Sequence, residues 1–239
     1  MSWEPWTGCY AESDGCRYCY YYGPYSKRYG QNTVVKTGEF YKPAETVFMP
    51  RKNITRYKLE SDKPVATCFT TDFFIPEADG WRAEAWRMIR QRPDLNFLML
   101  TKRIGRFPVS LPDDWGDGYE NVRIGCTVEN QETADLRLPL YISYPIRERW
   151  IVCSPLLEKI NLSPYLHGVV NVRVCGESGR DARVCDYDWV KDIREQCAKA
   201  GISFVFDGTG SHFRKDGVTH KINPYKQKST ARDMGIDLK

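Results

Sequence analysis

From residue 64 onward the chain alternates short apolar runs with segments of helical spacing, and that alternation leaves few folds open. Val65 to Phe69, Asn96 to Leu100, Val122 to Cys126, Arg149 to Cys153, Val169 to Cys175 and Ile202 to Phe206 are each bounded by polar or turn-forming residues, as buried strands are. Between them, Trp81 to Gln91 places Trp81, Ala85, Met88 and Ile89 on one helical face and stops at Pro93. Gln131 to about Tyr141 and Tyr187 to Ala200 read as further helices, the second closed by Gly201. A first strand near Trp3 to Thr7 brings the count to about seven. Strands that alternate with helices imply βα units and a mostly parallel sheet, hence the α/β class. A partial, open (βα) barrel and a flat doubly wound sheet share this pattern.

At 239 residues the chain suffices for one large α/β domain or two small ones. No apolar run approaches the ~20 residues that span a bilayer, and Met1 to Trp6 lacks the regions of a signal peptide. These features predict a cytoplasmic chain with reduced cysteines. Nine cysteines, an odd number at uneven spacings, argue against a disulfide framework and for metal binding or buried thiols. The net charge of +4 permits an anionic partner, and 15 tyrosines supply faces on which bases can stack. Residues 31 to 63 show no clean period and read as an excursion with strand-like and helical pieces; its basic stretch runs from Arg51 to Lys58. From Gly208 the chain turns basic and polar, which predicts an extended or partly disordered tail. The predicted organisation is therefore a (βα) domain over 1–207, interrupted at about 31–63, and a basic extension over 208–239.

Cys9, Cys16 and Cys19 fall within eleven positions, spaced C-x6-C-x2-C, and no fourth ligand follows closely: the next cysteine is Cys68 and the first histidine His167. A structural zinc site wants four closed ligands, and iron–sulfur clusters usually take four cysteines. Three thiolates on a four-iron cluster would leave one iron open to an exogenous ligand. The competing readings are a zinc site completed by a distant residue, or three ordinary thiols. Beyond this loop the chain is expected to enter a short helix, bent by Gly23-Pro24 and ended by Gly30.

Cys16-Arg17-Tyr18-Cys19, with an aromatic just before the last cysteine, resembles the second half of the cluster loop of radical SAM enzymes. The first spacing departs from that loop, with six intervening residues in place of three. The longer spacing, together with Trp3-Glu4-Pro5-Trp6-Thr7-Gly8-Cys9, is similar to a set of phage and bacterial proteins that begin with a Trp-Asn-Pro-Trp-Thr-Gly-Cys-like segment. The resemblance continues at Asp72-Phe73-Phe74, Leu100-Thr101-Lys102-Arg103, Val128-Glu129-Asn130-Gln131 and Gly176-Glu177-Ser178-Gly179, and so covers roughly residues 1 to 207.

The resemblance implies a partial (βα) barrel with an N-terminal cysteine loop, and a 4Fe-4S cluster held by Cys9, Cys16 and Cys19. It also implies S-adenosyl-L-methionine on the open iron, reductive cleavage to a 5′-deoxyadenosyl radical, and an electron donor as partner. Tyr18 would flank the adenine, Asp72 would receive the methionine ammonium, Glu129 and Glu177 would meet ribose hydroxyls or substrate, and Lys102 would offset a carboxylate. Either glutamate is explained as well by a helix N-terminus. Cys126, Cys153 and Cys175 end predicted strands, where they would line a cavity, hold a second cluster or simply pack. Gly176 to Gly179 lacks the dinucleotide fingerprint, and His167, His212 and His220 have neither metal-ligand spacing nor a nearby nucleophile. The basic stretch and tail favour a nucleic acid or nucleotide substrate. The competing function is a non-catalytic, cysteine-ligated metal module that binds nucleic acid.

Overall fold

The computed structural model describes all residues except Tyr25, Tyr29 and Gln31. In chain order the strands of the first part are β1 (Ser2–Trp3), β2 (Trp6–Thr7), β3 (Val35–Lys36), β4 (Thr46–Met49), β5 (Ile54–Tyr57) and β6 (Val65–Thr67). Helix α1 (Asp79–Arg90), β7 (Phe97–Thr101), β8 (Val122–Val128), α2 (Gln131–Ser143), β9 (Arg149–Cys153) and β10 (Val169–Cys175) follow. The chain closes with β11 (Val184–Asp186), α3 (Tyr187–Ala200), β12 (Ser203–Gly208), β13 (His212–Lys215), β14 (Val218–Lys221) and α4 (Gln227–Asp233).

Seven strands form a parallel sheet in the order β1-β6-β7-β8-β9-β10-β12. The order follows the chain without reversal, so the topological switch of a doubly wound sheet is missing from it. Buried residues alternate with partly exposed ones in β7 and β12, whereas β8 is buried at six of its seven positions. Such near-continuous burial suits the middle of a parallel sheet. Among the described residues no helix is long and apolar enough to cross a membrane.

The chain divides into two compact units, residues 1–9, 33–124 and 145–147 in one and residues 10–32, 125–144 and 148–239 in the other. The core of the first is aromatic. Trp6 lies 5.1 Å from Phe73, Phe73 4.8 Å from Trp86, and Trp86 5.1 Å from Trp115, each measured between ring centres. Helix α1 buries Ala85, Trp86, Met88 and Ile89, while Trp81, expected on that face, stays half-exposed. Side chains of the second unit's core are mainly aliphatic, with Ile151, Val172, Val174, Val190 and Ile193 buried beside Phe204, Phe206 and Phe213. Asn130 caps α2 with a reciprocal pair of bonds to Thr133, and Gly201 closes α3 at φ +68°.

Four expectations change. The single strand near Trp3 to Thr7 is two, because Pro5 interrupts it: β1 joins the seven-stranded sheet and β2 pairs with β3. The cysteine loop enters no α-helix among the described residues; a 3-10 turn at Asp14–Cys16 leads into further turns, while Tyr25 and Tyr29 of the expected helix lie outside the described residues. The excursion over 31–63, of which Gln31 is also outside, contains strands and turns but no helix among the described residues. The tail is folded. Strand β13 pairs with β11 and β14, Leu238 bridges to Phe204, and Ala231 of α4 is buried. Its few apolar residues are spent on docking to a neighbouring sheet, which composition averaged over the tail does not reveal.

Candidate functional site

In the first unit, the Trp3-to-Cys9 segment is fastened along its length. Trp3 and Trp6 are fully buried, and their indole N–H groups donate to Phe40 O (3.1 Å) and Asp72 O (3.2 Å). The Glu4 carboxylate accepts from the N–H groups of Phe69 (3.1 Å) and Thr70 (3.3 Å) and from the Thr70 hydroxyl (2.8 Å). Burial raises the Glu4 carboxyl above its ordinary range despite these bonds. Gly8 stands at φ +97°, where a side chain would also meet the backbone at Thr33 and Val34. These contacts account for the Trp-Glu-Pro-Trp-Thr-Gly run as an anchor that delivers Cys9.

Asp72 follows β6 and is 3% exposed. Between β6 and Asp72, Cys68 takes φ +57°, an uncommon conformation for a non-glycine residue. One Asp72 oxygen accepts from Phe74 N–H (2.9 Å) and the Thr101 hydroxyl (2.9 Å); the other accepts from Lys102 N–H (3.1 Å) and lies 3.4 Å from Arg103 Nη1. Thr101 in turn accepts from Arg103 N–H at 2.8 Å. The carboxylate expected to meet a ligand ammonium is thus already ringed by donors of its own chain. Lys102 contributes its backbone, and its neighbour Arg103 brings a guanidinium to 4.0 Å from Cys9 Sγ. Arg103 is 5% exposed, so the cation beside this thiol is itself buried.

In the second unit, the turn that carries Cys16 is held by two carboxylates. Glu129, directly after β8 and wholly buried, accepts from the Ser13 hydroxyl (3.0 Å) and from Arg137 Nη1 (3.0 Å). A Cβ added at Gly15 would stand 2.7 Å from Glu129 Cδ and nearer still to Cγ, so only glycine lets the turn rest on this side chain. Glu177, after β10, takes a paired bond from Arg183, with Nη2 at 2.7 Å and Nε at 2.9 Å, and a third from Arg183 N–H at 2.8 Å. The same guanidinium reaches the Asp14 carboxylate and donates to Asp14 O at 3.1 Å. Its own proton is held more tightly than usual, chiefly through the hydrogen bond to Glu177. Arg183 also stands 5.4 Å from the centre of the Tyr18 ring, as does Arg17. Tyr18, half-exposed, therefore has two cations near its ring.

Cys9, Cys16 and Cys19 are each partly exposed, and Cys19 Sγ accepts from Tyr21 N–H at 3.4 Å. Five of the other six cysteines are buried. Burial pushes the Cys175 and Cys197 thiols up to about 12, and pushes those of Cys68, Cys153 and Cys185 up as well. Cys126 and Cys153 are fully enclosed and pack as small apolar residues. Among the described residues no three His, Cys, Asp or Glu side chains already stand as a metal-ligand group. The donor chemistry of the three loop thiols nonetheless fits a cluster: none is in a disulfide, all are accessible, one faces a guanidinium and one receives a backbone N–H.

The resemblance singled out Asp72, Glu129 and Glu177, each of which follows a strand, but not the residues around them, Ser13, Asp14, Gly15, Arg103, Arg137 and Arg183. Only Gly15, a glycine inside a cysteine loop, carried a local signal. No curated protein and no solved structure matches the chain. The family model described as "Protein of unknown function (DUF5131)" matches residues 1–236, and the chain belongs to that family.

Proposed function

We propose that this protein is a radical SAM enzyme whose 4Fe-4S cluster is held by Cys9, Cys16 and Cys19, on a partial (βα) barrel. The observation that carries the reading is the division among the cysteines: three partly exposed thiols on one eleven-residue segment, against five buried ones and a single partly exposed one, Cys175, elsewhere. A seven-stranded sheet in unbroken chain order supports the barrel. When bound, the cluster and S-adenosyl-L-methionine would supply reductive cleavage to a 5′-deoxyadenosyl radical that takes a hydrogen atom from substrate. Nucleic acid or a nucleotide is the substrate class proposed.

The chain's own residues hold and tune the thiols. Arg103 offsets negative charge at Cys9, and the Tyr21 N–H lowers electron density on Cys19 Sγ. Through Ser13 and Arg183, Glu129 and Glu177 act on the turn that bears Cys16, as positioning groups. Tyr18, stacked beside Arg183, offers a ring already fixed for an adenine. Lys102 and Asp72 set the place of Arg103 through the backbone and carboxylate bonds between them.

The test is anaerobic reconstitution with iron and sulfide, followed by electron paramagnetic resonance of the reduced protein with and without S-adenosylmethionine. A four-iron signal that the cofactor perturbs, and that disappears in Cys9→Ala, Cys16→Ala and Cys19→Ala, is the expected result. Stoichiometric zinc with no cluster would overturn it and leave a metal-binding module.

A further inference from the structure

Among the described residues, strands β4 and β5 form a hairpin that pairs with no other strand. Every residue from Thr46 to Lys58 is exposed except Met49, which is half-exposed. A two-stranded hairpin is marginal by itself, and this one has no buried face to justify its apolar residues. Its register places Thr46 opposite Tyr57 and Phe48 opposite Thr55, so Phe48 and Tyr57 share one face. They are 55% and 41% exposed.

The Tyr57 ring is held from behind. The Arg92 guanidinium lies 3.9 Å from the ring centre and is itself buried, fixed by Pro43 O (2.6 Å), Leu59 O (2.8 Å) and Asp94. An aromatic platform locked before any ligand arrives loses little side-chain freedom on binding. Around it, residues 46–58 contain Arg51, Lys52, Arg56 and Lys58 and no acid. Arg51 and Lys52 sit at the tip; Lys58 is paired with Glu45, and Arg56 lies 3.8 Å from Glu60.

We propose that the β4–β5 hairpin docks a single-stranded nucleic acid, with bases stacked on Phe48 and Tyr57 and phosphates met by Arg51 and Lys52 at the tip. Charge complementarity to a polyanion favours this occupant over a protein face, and exposed rings favour unstacked bases over a duplex. The assignment refines the substrate class proposed above and rests on that reading only in calling the ligand a substrate.

The experiment is fluorescence anisotropy with the full chain and no added cofactor. Labelled single-stranded DNA and RNA of one mixed sequence, and the matching duplexes, are titrated at several salt concentrations. Single strands are expected to bind tighter than duplexes, and the DNA and RNA arms tell which backbone is preferred. Replacing both Arg51 and Lys52 by alanine should flatten the plot of log affinity against log salt by about 0.7 per lost phosphate contact. Phe48→Ala and Tyr57→Leu should weaken binding about five- to a hundredfold and leave that slope unchanged. Unaltered melting curves would show that these exposed substitutions leave the fold intact. Duplex binding as tight as single-strand binding, aromatic variants of full affinity, or variants that change only self-association in sedimentation would each overturn the proposal. Because no cluster is needed, failure here leaves the spectroscopic test of the enzyme untouched, and failure there leaves this one untouched.

Discussion

The carboxylate after β6 and those after β8 and β10 start from equivalent positions and serve different ends. Asp72 is saturated by donors from its own loop and from the next strand end, Thr101 to Arg103, so its effect stays within one patch of the first unit. Glu129 instead accepts from Ser13, and Glu177 holds Arg183, which donates to Asp14, so both reach a turn more than a hundred residues earlier in the chain. One carboxylate closes a corner of the fold; the other two fasten a distant segment that carries a thiol. A buried acid at a strand end is therefore not in itself a ligand site, and its partners decide what it does.

Substitutions should separate the two cases. The largest effect is expected for Glu129→Ala, which leaves the buried Arg137 guanidinium unpaired and should cost about 3–5 kcal/mol in denaturant unfolding. Hydrogen exchange should then rise at residues 13–16 and stay unchanged at 72–74; a uniform rise would erase the difference between the two cases. Asp72→Asn turns an amide N–H towards donors and should cost about 1.5–3 kcal/mol, with exchange rising at 72–74 and 101–103 instead. Gly15→Ala presses a methyl group against Glu129 and should cost about 1–3 kcal/mol, readable as a lowered melting temperature. Arg183→Met keeps the side-chain stem and loses the paired bonds. About 1 kcal/mol is expected in unfolding, together with faster proteolysis near Asp14.

The smallest effects are expected in pH dependence, where two acids of the first unit differ in sign. The Arg92 hydrogen bond holds the Asp94 carboxyl below its ordinary value, so its contribution is present at neutral pH and is lost as pH falls through that lowered value. Burial raises the Glu4 carboxyl, so its contribution is full below the unfolded value of 4.5 and is lost as pH rises through the raised one. Asp94→Asn should flatten the acid limb of a stability profile, and Glu4→Gln the rise in the opposite sense, each by roughly a few tenths of a kcal/mol.

Elements with strong local signals were legible in the sequence. Arg149–Cys153 and Val169–Cys175 match the expected strands residue for residue, and α3 ends at Gly201 as its chemistry demands. Asp72, Glu129 and Glu177, singled out by the resemblance, each follow a strand that the βα pattern locates. Their partners were not legible: Arg183 and Asp14 stand 169 residues apart, and no period or motif couples positions so distant. The hairpin's basic and aromatic residues were visible, but the face shared by Phe48 and Tyr57 depends on the register of β4 with β5, which a stretch without alternating burial does not encode. The tail misled because a few well-placed contacts outweigh an average polarity.

The gap of six residues between Cys9 and Cys16 contains Ser13, Asp14 and Gly15, the residues gripped by Glu129 and Arg183. The additional length is a handle, not slack. A peptide segment of this size would ordinarily surrender its conformational freedom at the moment a ligand arrives, at ~1–2 kcal/mol per residue. Here the turn has already surrendered it during folding, so any ion that recruits Cys16 meets a segment with little disorder left to lose. Shortening the gap to three residues would remove these grips and, on the proposed function, transfer that entropic cost from folding to metal capture.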